Sequence, residues 1–299
     1  MSLDRRTFLQ RSTTALAASA LGTSGVAHAA SVSQELQDPA PRKLKTDLAL
    51  NLEMWLGDLP FHERIHKASE LGFRHFEFWP WRNKDLDAIE KAMAATGMQA
   101  TQFTAWGFVP GMNDPANHEK VVAEIEASCL TAKRLNIPMM TVVGGNDQPG
   151  MSQAEMHANI IAALKLAAPI AEKHEVMLIL EPMNIRRDHK GHCLYGSPDA
   201  VRICREVDSP FVKINWDLYH MQISEGDLCG RLREGFDQVG YLQLADHPGR
   251  REPGTGEIAY WRVLKEAWDL GYRKPVGVEC YPSESADISA KRMRESCVW

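Results

Sequence analysis

Four oxygen-bearing side chains follow apolar, β-rich stretches in the second half of this 299-residue sequence. Glu181, Asp217, Gln243 and Glu279 each stand at or near the end of one such stretch. Three carboxylates gathered in apolar surroundings would lose their hydration and repel one another unless a cation neutralised them. Oxygen ligands favour Mg²⁺ or Mn²⁺ over zinc, which prefers nitrogen or sulfur. The pattern therefore predicts one divalent metal ion held by these four side chains.

The elements that would position these side chains alternate regularly along the chain. Strands are predicted at Leu48–Trp55, His75–Pro80, Gln99–Trp106, Met139–Gly145, Met177–Met183, Val212–Asp217, Gly240–Asp246 and Pro275–Tyr281. Helices are predicted at Phe61–Leu71, Leu86–Ala95, Glu119–Leu135, Gln153–Glu172, Pro198–Glu206, Asp227–Phe236, Trp261–Leu270 and Ala286–Ser296. Repeated strand-then-helix units imply parallel strands joined by right-handed crossovers.

Eight such units predict an α/β fold of the (β/α)₈ TIM-barrel class, in one domain spanning residues 47–299. An open doubly wound sheet is the alternative, but no Gly-x-Gly-x-x-Gly follows any predicted strand. Catalytic groups of a barrel stand at the carboxyl ends of the strands, because the interior below is packed. The four predicted ligands would then meet at one end of the barrel.

Other interpretations of the same residues are open. A single carboxylate at a strand end is more often a helix N-cap or a loop acceptor than a metal ligand. Four oxygen ligands on consecutive strands favour the metal site. His220, three residues after Asp217, is either an ordinary loop histidine or a group that faces the substrate or supports the metal ligands, and we favour the second interpretation.

The N-terminus has the pattern of an export signal. Arg5 and Arg6 precede a weakly apolar run that ends in Ala27-His28-Ala29, a small-x-small cleavage site. We interpret residues 1–29 as a twin-arginine signal peptide and residues 30–46 as a linker. The protein would be exported in folded form, to the periplasm or outside the cell, and would not be held in a membrane after cleavage, because the run is too short and polar.

Composition narrows the classes of partner. The chain is 44% hydrophobic and 24% charged, which is ordinary for a globular protein. Cleavage after residue 29 would remove three arginines and one aspartate and move the net charge from −5 to −7, which argues against a nucleic-acid partner. The six cysteines show no paired spacing. The sequence leaves the oligomeric state open, a homo-oligomer included.

Three longer motifs resemble those of the hydroxypyruvate isomerase family, one of the xylose-isomerase-like barrels. They are Glu181–Gly191 (EPMNIRRDHKG), Trp216–His220 (WDLYH) and Gln243–Ile258 (QLADHPGRREPGTGEI). The resemblance covers the chain from about Leu48 to Tyr281. His192-Cys193 departs from it, since the family has an aromatic pair there, and most members lack an export signal.

The resemblance implies a site and a reaction. It maps the metal ligands to the four side chains named above and makes Glu181 and Glu279 the pair that transfers protons. It places substrate-binding residues at His189 and Arg250. Asn184, His220 and Glu257 lie in the same three motifs and are further candidates for substrate binding. Related ketose 3-epimerases generally have histidine where this chain has Gln243.

The chemistry expected from such a site is the movement of a carbonyl between adjacent carbons of a small hydroxy-carbonyl acid or sugar. A metal ion stabilises the charge that develops on the substrate oxygens, and two carboxylates move the proton. An epimerase, or a lyase or dehydratase acting on keto-sugars, would use the same site. An apurinic-site endonuclease needs several metals and many histidines and is disfavoured; a sugar-binding protein without activity is a further alternative.

Overall fold

Eight parallel strands close into a barrel in the computed structural model, which describes residues 42–299. The strands are β1 (Leu48–Asn51), β2 (His75–Phe78), β3 (Gln99–Trp106), β4 (Met139–Val143), β5 (Met177–Glu181), β6 (Val212–Asp217), β7 (Val239–Leu244) and β8 (Val276–Val278). β8 pairs with β1 and closes the ring. The predicted (β/α)₈ barrel is confirmed. The predicted signal peptide lies outside the described residues, as does most of the predicted linker.

Helices surround the barrel in the order that the sequence predicts. They are α1 (Phe61–Glu70), α2 (Leu86–Thr96), α3 (His118–Arg134), α4 (Gln153–His174), α5 (Ser197–Val207), α6 (Leu218–Ser224), α7 (Leu228–Gly235), α8 (Tyr260–Asp269) and α9 (Ala286–Ser296). Helix α6 was not predicted. Most of its side chains are buried, so it lacks the polar face by which a surface helix is recognised in a sequence.

Local sequence signals set several helix ends. Ser152 accepts a hydrogen bond from the backbone N–H of Glu155, and the Glu155 carboxylate accepts one from the Ser152 N–H, which is a capping box at the start of α4. Helix α2 begins after Asp85, whose carboxylate accepts from the Ala88 N–H. It ends at Gly97, whose φ of 73° is accessible to glycine at little cost.

Several strands are shorter than predicted. β1, β7 and β8 end at Asn51, Leu244 and Val278, whereas the predicted strands continue for two to four further residues. The residues that follow, such as Leu52 and Ala245, are buried in the loops over the barrel mouth. Their apolar character therefore does not mark where strand pairing stops.

The strands separate an outer core from a barrel interior. In β2, Phe78 faces the helices, where its ring lies 5.5 Å from that of Phe61 in α1. Glu77, the residue before it, faces the interior, as strand alternation requires. Deeper in the barrel, Met139, Ile179 and Tyr241 form a small buried apolar cluster.

Within residues 42–299, no cysteine is bonded to another, and all six are free. No helix in that part of the chain is both long and apolar enough to cross a bilayer. Packing of the barrel against its helices accounts for the stability of the described fold.

β7 carries a glycine at a break in its pairing with β6. Ile214 pairs with Val239, but the next pair is Asn215 with Tyr241, so Gly240 is an extra residue on β7. A Cβ at Gly240 would lie 2.7 Å from Lys213 Cβ and 2.8 Å from Ile179 Cγ2. A glycine is needed here because neighbouring side chains approach so closely.

Gly240→Ala is expected to lower the free energy of unfolding by about 1–3 kcal/mol, the usual range for overpacking. Urea denaturation would measure this change. Gly57→Ala is the matched control, since a Cβ there meets nothing within 4 Å. Equal stability of the two variants would show that the bulge tolerates a side chain.

Candidate active site

Four titratable side chains converge at the carboxyl end of the barrel. Glu181 is the last residue of β5, Asp217 is the last of β6, His220 lies in α6, and Glu279 follows β8 directly. Each offers one ligand-type atom, and these atoms all lie within 4.8 Å of one another. All four side chains are buried. The carboxylates predicted from the strand ends therefore do meet in space.

Burial makes the charged carboxylates costly. Burial, together with repulsion from the nearby Glu279, raises the pKa of Asp217 to about 7. Burial likewise raises the pKa of Glu181 well above its ordinary value, with added repulsion from Glu279 and Asp217. Arg250 opposes both shifts, and its Nη2 donates a 2.6 Å hydrogen bond to Glu279 Oε2.

Asp217 is both a helix cap and a candidate ligand. Its Oδ1 accepts a 2.8 Å hydrogen bond from the backbone N–H of Tyr219, which caps α6. Its Oδ2 is buried and has no hydrogen-bond partner among the described residues. The capping interpretation and the ligand interpretation therefore apply to different oxygens of the same carboxylate.

A chain of hydrogen bonds sets the protonation of His220. Asn184 Oδ1 accepts from the backbone N–H groups of Arg187 and Asp188, which fixes the orientation of its amide. Asn184 Nδ2 then donates to His220 Nδ1 at 2.7 Å, so Nδ1 is an acceptor. Burial lowers the pKa of His220 well below its ordinary value, so the ring is neutral.

The remaining ring proton is on Nε2, which lies 3.6 Å from Asp217 Oδ2 and 3.8 Å from Glu181 Oε1. In this state His220 is a hydrogen-bond donor toward the cavity and is not a metal ligand. Asn184 lies behind the histidine and acts on the cavity through it.

Gln243 is placed beside the carboxylates by strand register. Its Cα pairs with that of Asp217 across β6 and β7. Its Nε2 donates to Glu77 Oε1 at 2.7 Å, and its Oε1 accepts from Asn215 Nδ2 at 2.6 Å. An amide oxygen has two lone pairs, so Oε1 keeps one for a further partner.

These residues fit a hard divalent cation. Three buried carboxylates and one amide oxygen form a set of oxygen donors of the kind that Mg²⁺ and Mn²⁺ prefer. The unpartnered Asp217 Oδ2 is a buried acceptor that a cation would satisfy. Glu181, Asp217, Gln243 and Glu279 would hold the ion.

Two of the carboxylates, Glu181 and Glu279, line a cavity of about 420 Å³. Its walls include Trp79, Phe108, Met183, His189 and Arg250, in addition to Glu181, His220 and Glu279. The wall is largely apolar with a few polar groups, which is typical of small-molecule sites.

Two aromatic contacts shape this cavity. The His189 ring stacks on Phe108 with centroids 4.9 Å apart. Trp79 Nε1 donates to Glu279 Oε1 at 2.8 Å, so Trp79 both forms a wall and orients the carboxylate.

The loop after β7 is folded around Asp246. Asp246 Oδ2 accepts from the backbone N–H groups of Gly254 and Gly256, and Oδ1 accepts from that of Ile258. A Cβ at Gly256 would lie 2.3 Å from the His247 carbonyl oxygen, so only glycine fits at this position without a shift of the backbone. The loop carries Arg250 to the cavity.

The predicted substrate-binding residues fall in three places. His189, His220 and Arg250 line the cavity. Asn184 supports His220 from behind. Glu257 lines an adjacent basic pocket with Arg186, Arg187, Lys190 and His247, where it accepts from Gln222.

Sequence reasoning missed Trp79 as a partner of Glu279, and it missed Glu77 and Asn215 as partners of Gln243. The available signal was strand alternation. Glu77 lies between two phenylalanines in His75–Phe78, so it must face the barrel interior when they face the helices.

The chain is similar to known proteins along most of its length. The family model described as Xylose isomerase-like TIM barrel matches residues 65–297. The hydroxypyruvate isomerase of Escherichia coli (strain K12) is 30% identical over 249 residues, which cover 81% of this chain and 96% of that protein. The 2-oxo-tetronate isomerase of Cupriavidus necator is 30% identical over 246 residues, covering 78% of this chain and 92% of that protein.

Among solved structures, an AP endonuclease, family 2, from Brucella melitensis superposes with a TM-score of 0.77 at 24% identity. The match covers 82% of this chain and 96% of that chain, and at this identity it shows a shared fold. The chain belongs to the hydroxypyruvate isomerase family of xylose isomerase-like TIM barrels, and it is an isomerase.

The titration of Asp217 predicts a pH effect on the metal-free protein. Its folded pKa of about 7 lies above its ordinary 3.8, so its contribution to stability is lost as pH rises through 7. Asp217→Asn keeps the cap and removes the titration. The free energy of unfolding of this variant, relative to wild type, should therefore rise by about 2 kcal/mol between pH 5 and pH 8.

Urea unfolding of both proteins in EDTA would give this difference. Buried histidines, whose depressed pKa values act in the opposite direction, are present in both proteins and largely cancel. A difference that stayed constant with pH, or fell, would contradict the raised pKa.

Proposed function

We propose that the protein is a divalent-metal-dependent isomerase of hydroxypyruvate-like, small hydroxy-carbonyl acids or sugars. One observation carries the proposal: Glu181 and Glu279 line one cavity and share a buried cluster with Asp217. The relatives named above, which act on hydroxypyruvate and 2-oxo-tetronate, support the substrate class.

The two glutamates would move the proton. A bound Mg²⁺ or Mn²⁺ would supply Lewis-acid stabilisation of the charge that develops on the substrate oxygens. One carboxylate takes the proton from the carbon that bears a hydroxyl, and a carboxylate returns a proton to the former carbonyl carbon. The proton of that hydroxyl passes to the former carbonyl oxygen, so the carbonyl moves by one carbon. Trp79 holds Glu279 in position for this exchange through its indole N–H.

Arg250 would bind the acidic end of the substrate. Its guanidinium lies 5.2 Å from the centre of the Tyr219 ring and donates to Glu279 at the cavity wall. A substrate carboxylate could accept a charge-assisted hydrogen bond from the same group. The His220 Nε2–H would donate to a substrate oxygen from the other side of the cluster.

The same geometry leaves an epimerase, or a lyase or dehydratase on keto-sugars, as the alternative. Which of these reactions takes place depends on the carbon to which the proton returns and on whether the substrate has a leaving group β to the carbonyl. The endonuclease class gains no support from the cluster, because the one candidate metal cluster found in residues 42–299 contains a single histidine.

Export belongs to the same proposal. The twin-arginine pattern at residues 1–29 would deliver a folded, metal-loaded enzyme to the periplasm or the exterior. Its substrate would then be one that occurs outside the cytoplasm. Comparison of the mature N-terminus with Ala30 by mass spectrometry of the secreted protein would test this part.

Proton NMR in D₂O tests the reaction class. Hydroxypyruvate and 3-hydroxy-2-oxo acids of four carbons should interconvert with their carbonyl isomers and acquire deuterium at the reacting carbon. Release of a fragment or of water would favour the lyase or dehydratase. The absence of both exchange and turnover with every compound of the class would refute the proposal.

Glu181→Gln and Glu279→Gln should each lower kcat by about 10²–10⁴-fold, because each removes a positioned acid–base group. Metal content measured on the same samples separates this loss from loss of the ion. Glu206→Gln is the control, since Glu206 lies exposed on α5, where it pairs with Arg202. If the Glu279 variant kept most of its activity, that residue would not transfer the proton.

Removal of metal with EDTA should abolish turnover, and Mg²⁺ or Mn²⁺ should restore it. Titration calorimetry should give one ion per chain for the wild type, and Asp217→Ala should weaken binding at least about tenfold, because it removes an entire ligand. Full activity in protein shown to be free of metal would exclude the proposed mechanism.

A further inference from the structure

A layer of polar side chains crosses the barrel interior below the carboxylate cluster. Hydrogen bonds connect these side chains from six different strands. The members are Asn51, Glu77, Gln102, Thr141, Asn215 and Gln243. All six are buried, with at most 2% exposure. Because a barrel interior is usually filled by branched apolar residues, this layer needs an explanation.

Glu77 is the charged member of the layer. Its Oε1 accepts hydrogen bonds from Asn51 Nδ2 at 3.0 Å and from Gln243 Nε2 at 2.7 Å. A glycine on β8 leaves room for it, since a Cβ at Gly277 would lie 2.3 Å from Glu77 Oε2. Glu77 does not line the cavity.

A buried carboxylate is expensive, and an apolar side chain of similar size would often be no less stable. A carboxyl oxygen does what an apolar group cannot do, because it accepts hydrogen bonds. Glu77 Oε1 already accepts from Asn51 Nδ2, whose amide is fixed because Asn51 Oδ1 accepts from the Glu53 N–H, so Oε1 is an acceptor whether or not Oε2 carries a proton. Facing Gln243, it therefore selects the NH₂ end of that amide. The amide oxygen is then directed away from Glu77.

Asn215 reinforces the same orientation. Its Nδ2 donates to Gln243 Oε1 at 2.6 Å, on the side of the amide opposite to Glu77. Both neighbours thus favour one of the two orientations of an amide whose ends are similar in size. In that orientation Oε1 retains one lone pair, and one N–H of Nε2 is held by Glu77.

We propose that Glu77 is a positioning residue that fixes the amide of Gln243, so that its oxygen and not its nitrogen is offered to the divalent cation. The inference rests on the proposed function, in which Gln243 is a ligand. Partners behind metal ligands commonly contribute about 10–100-fold to metal affinity. Glu77 acts only through Gln243 and touches neither substrate nor ion.

A double-mutant cycle on metal binding tests this role. Mn²⁺ is titrated calorimetrically into the metal-free full-length protein. Glu77→Met, which removes the acceptor, should weaken Mn²⁺ binding about 10–100-fold. In the Gln243→Ala background the same change should alter the dissociation constant less than about threefold, because its target is already gone.

Two further variants separate the hydrogen bond from charge and from general damage. Glu77→Gln loses the charge but keeps an oxygen acceptor at nearly the same volume, so its Mn²⁺ affinity should stay within about threefold of wild type. Thr131→Val removes a hydrogen bond away from this layer, to the Ala127 carbonyl oxygen in α3 at 3.3 Å, and should likewise leave the affinity unchanged.

The outcomes discriminate between the two proposals. If the wild type binds no Mn²⁺, the proposed metal-dependent function fails and the inference fails with it. If the wild type binds Mn²⁺ and Glu77→Met binds equally well, or weakens equally in both backgrounds, only the positioning role is overturned. Should Glu77→Met not fold, a tenfold loss in Glu77→Gln would overturn the inference by itself.

Discussion

The mutual repulsion of three buried carboxylates is the constraint on which the site depends. Glu181, Asp217 and Glu279 come from separate strands and have ligand atoms within 4.8 Å of one another and of His220. Water does not reach them freely, so their charge must be balanced from within the protein or by a cation. Arg250 supplies one positive charge, which does not match three carboxylates.

The rest of the barrel end is arranged around that constraint. A loop folded on Asp246 brings Arg250 to the cavity, and Asn184 holds His220 neutral with its proton toward the cluster. Trp79 fixes one carboxylate from the cavity wall. Below, a polar layer that includes Glu77 orients the one amide in the set. Each of these contacts limits the positions that the ligands can take.

Much of the fold and part of the site followed from the sequence. Periodicity identified the eight strands, and the residues at or near their ends identified the three carboxylates, because parallel strands in a barrel deliver their ends to one place. Helix α6 was missed because it is short and mostly buried, so its sequence shows no exposed polar face. Strand alternation could have revealed Glu77, but its partners come from β1 and β7, and a single sequence does not show which distant side chains meet. For the same reason, the sequence did not show that Glu257, which was predicted to bind substrate, lies in the adjacent pocket.

Anomalous diffraction from crystals grown with Mn²⁺ tests the central claim most directly. The account predicts a single strong peak with oxygens of Glu181, Asp217, Gln243 and Glu279 about 2.0–2.4 Å away, and His220 Nε2 outside the coordination sphere. No peak at the barrel mouth, or a peak coordinated by His220 while the Gln243 oxygen points elsewhere, would contradict it.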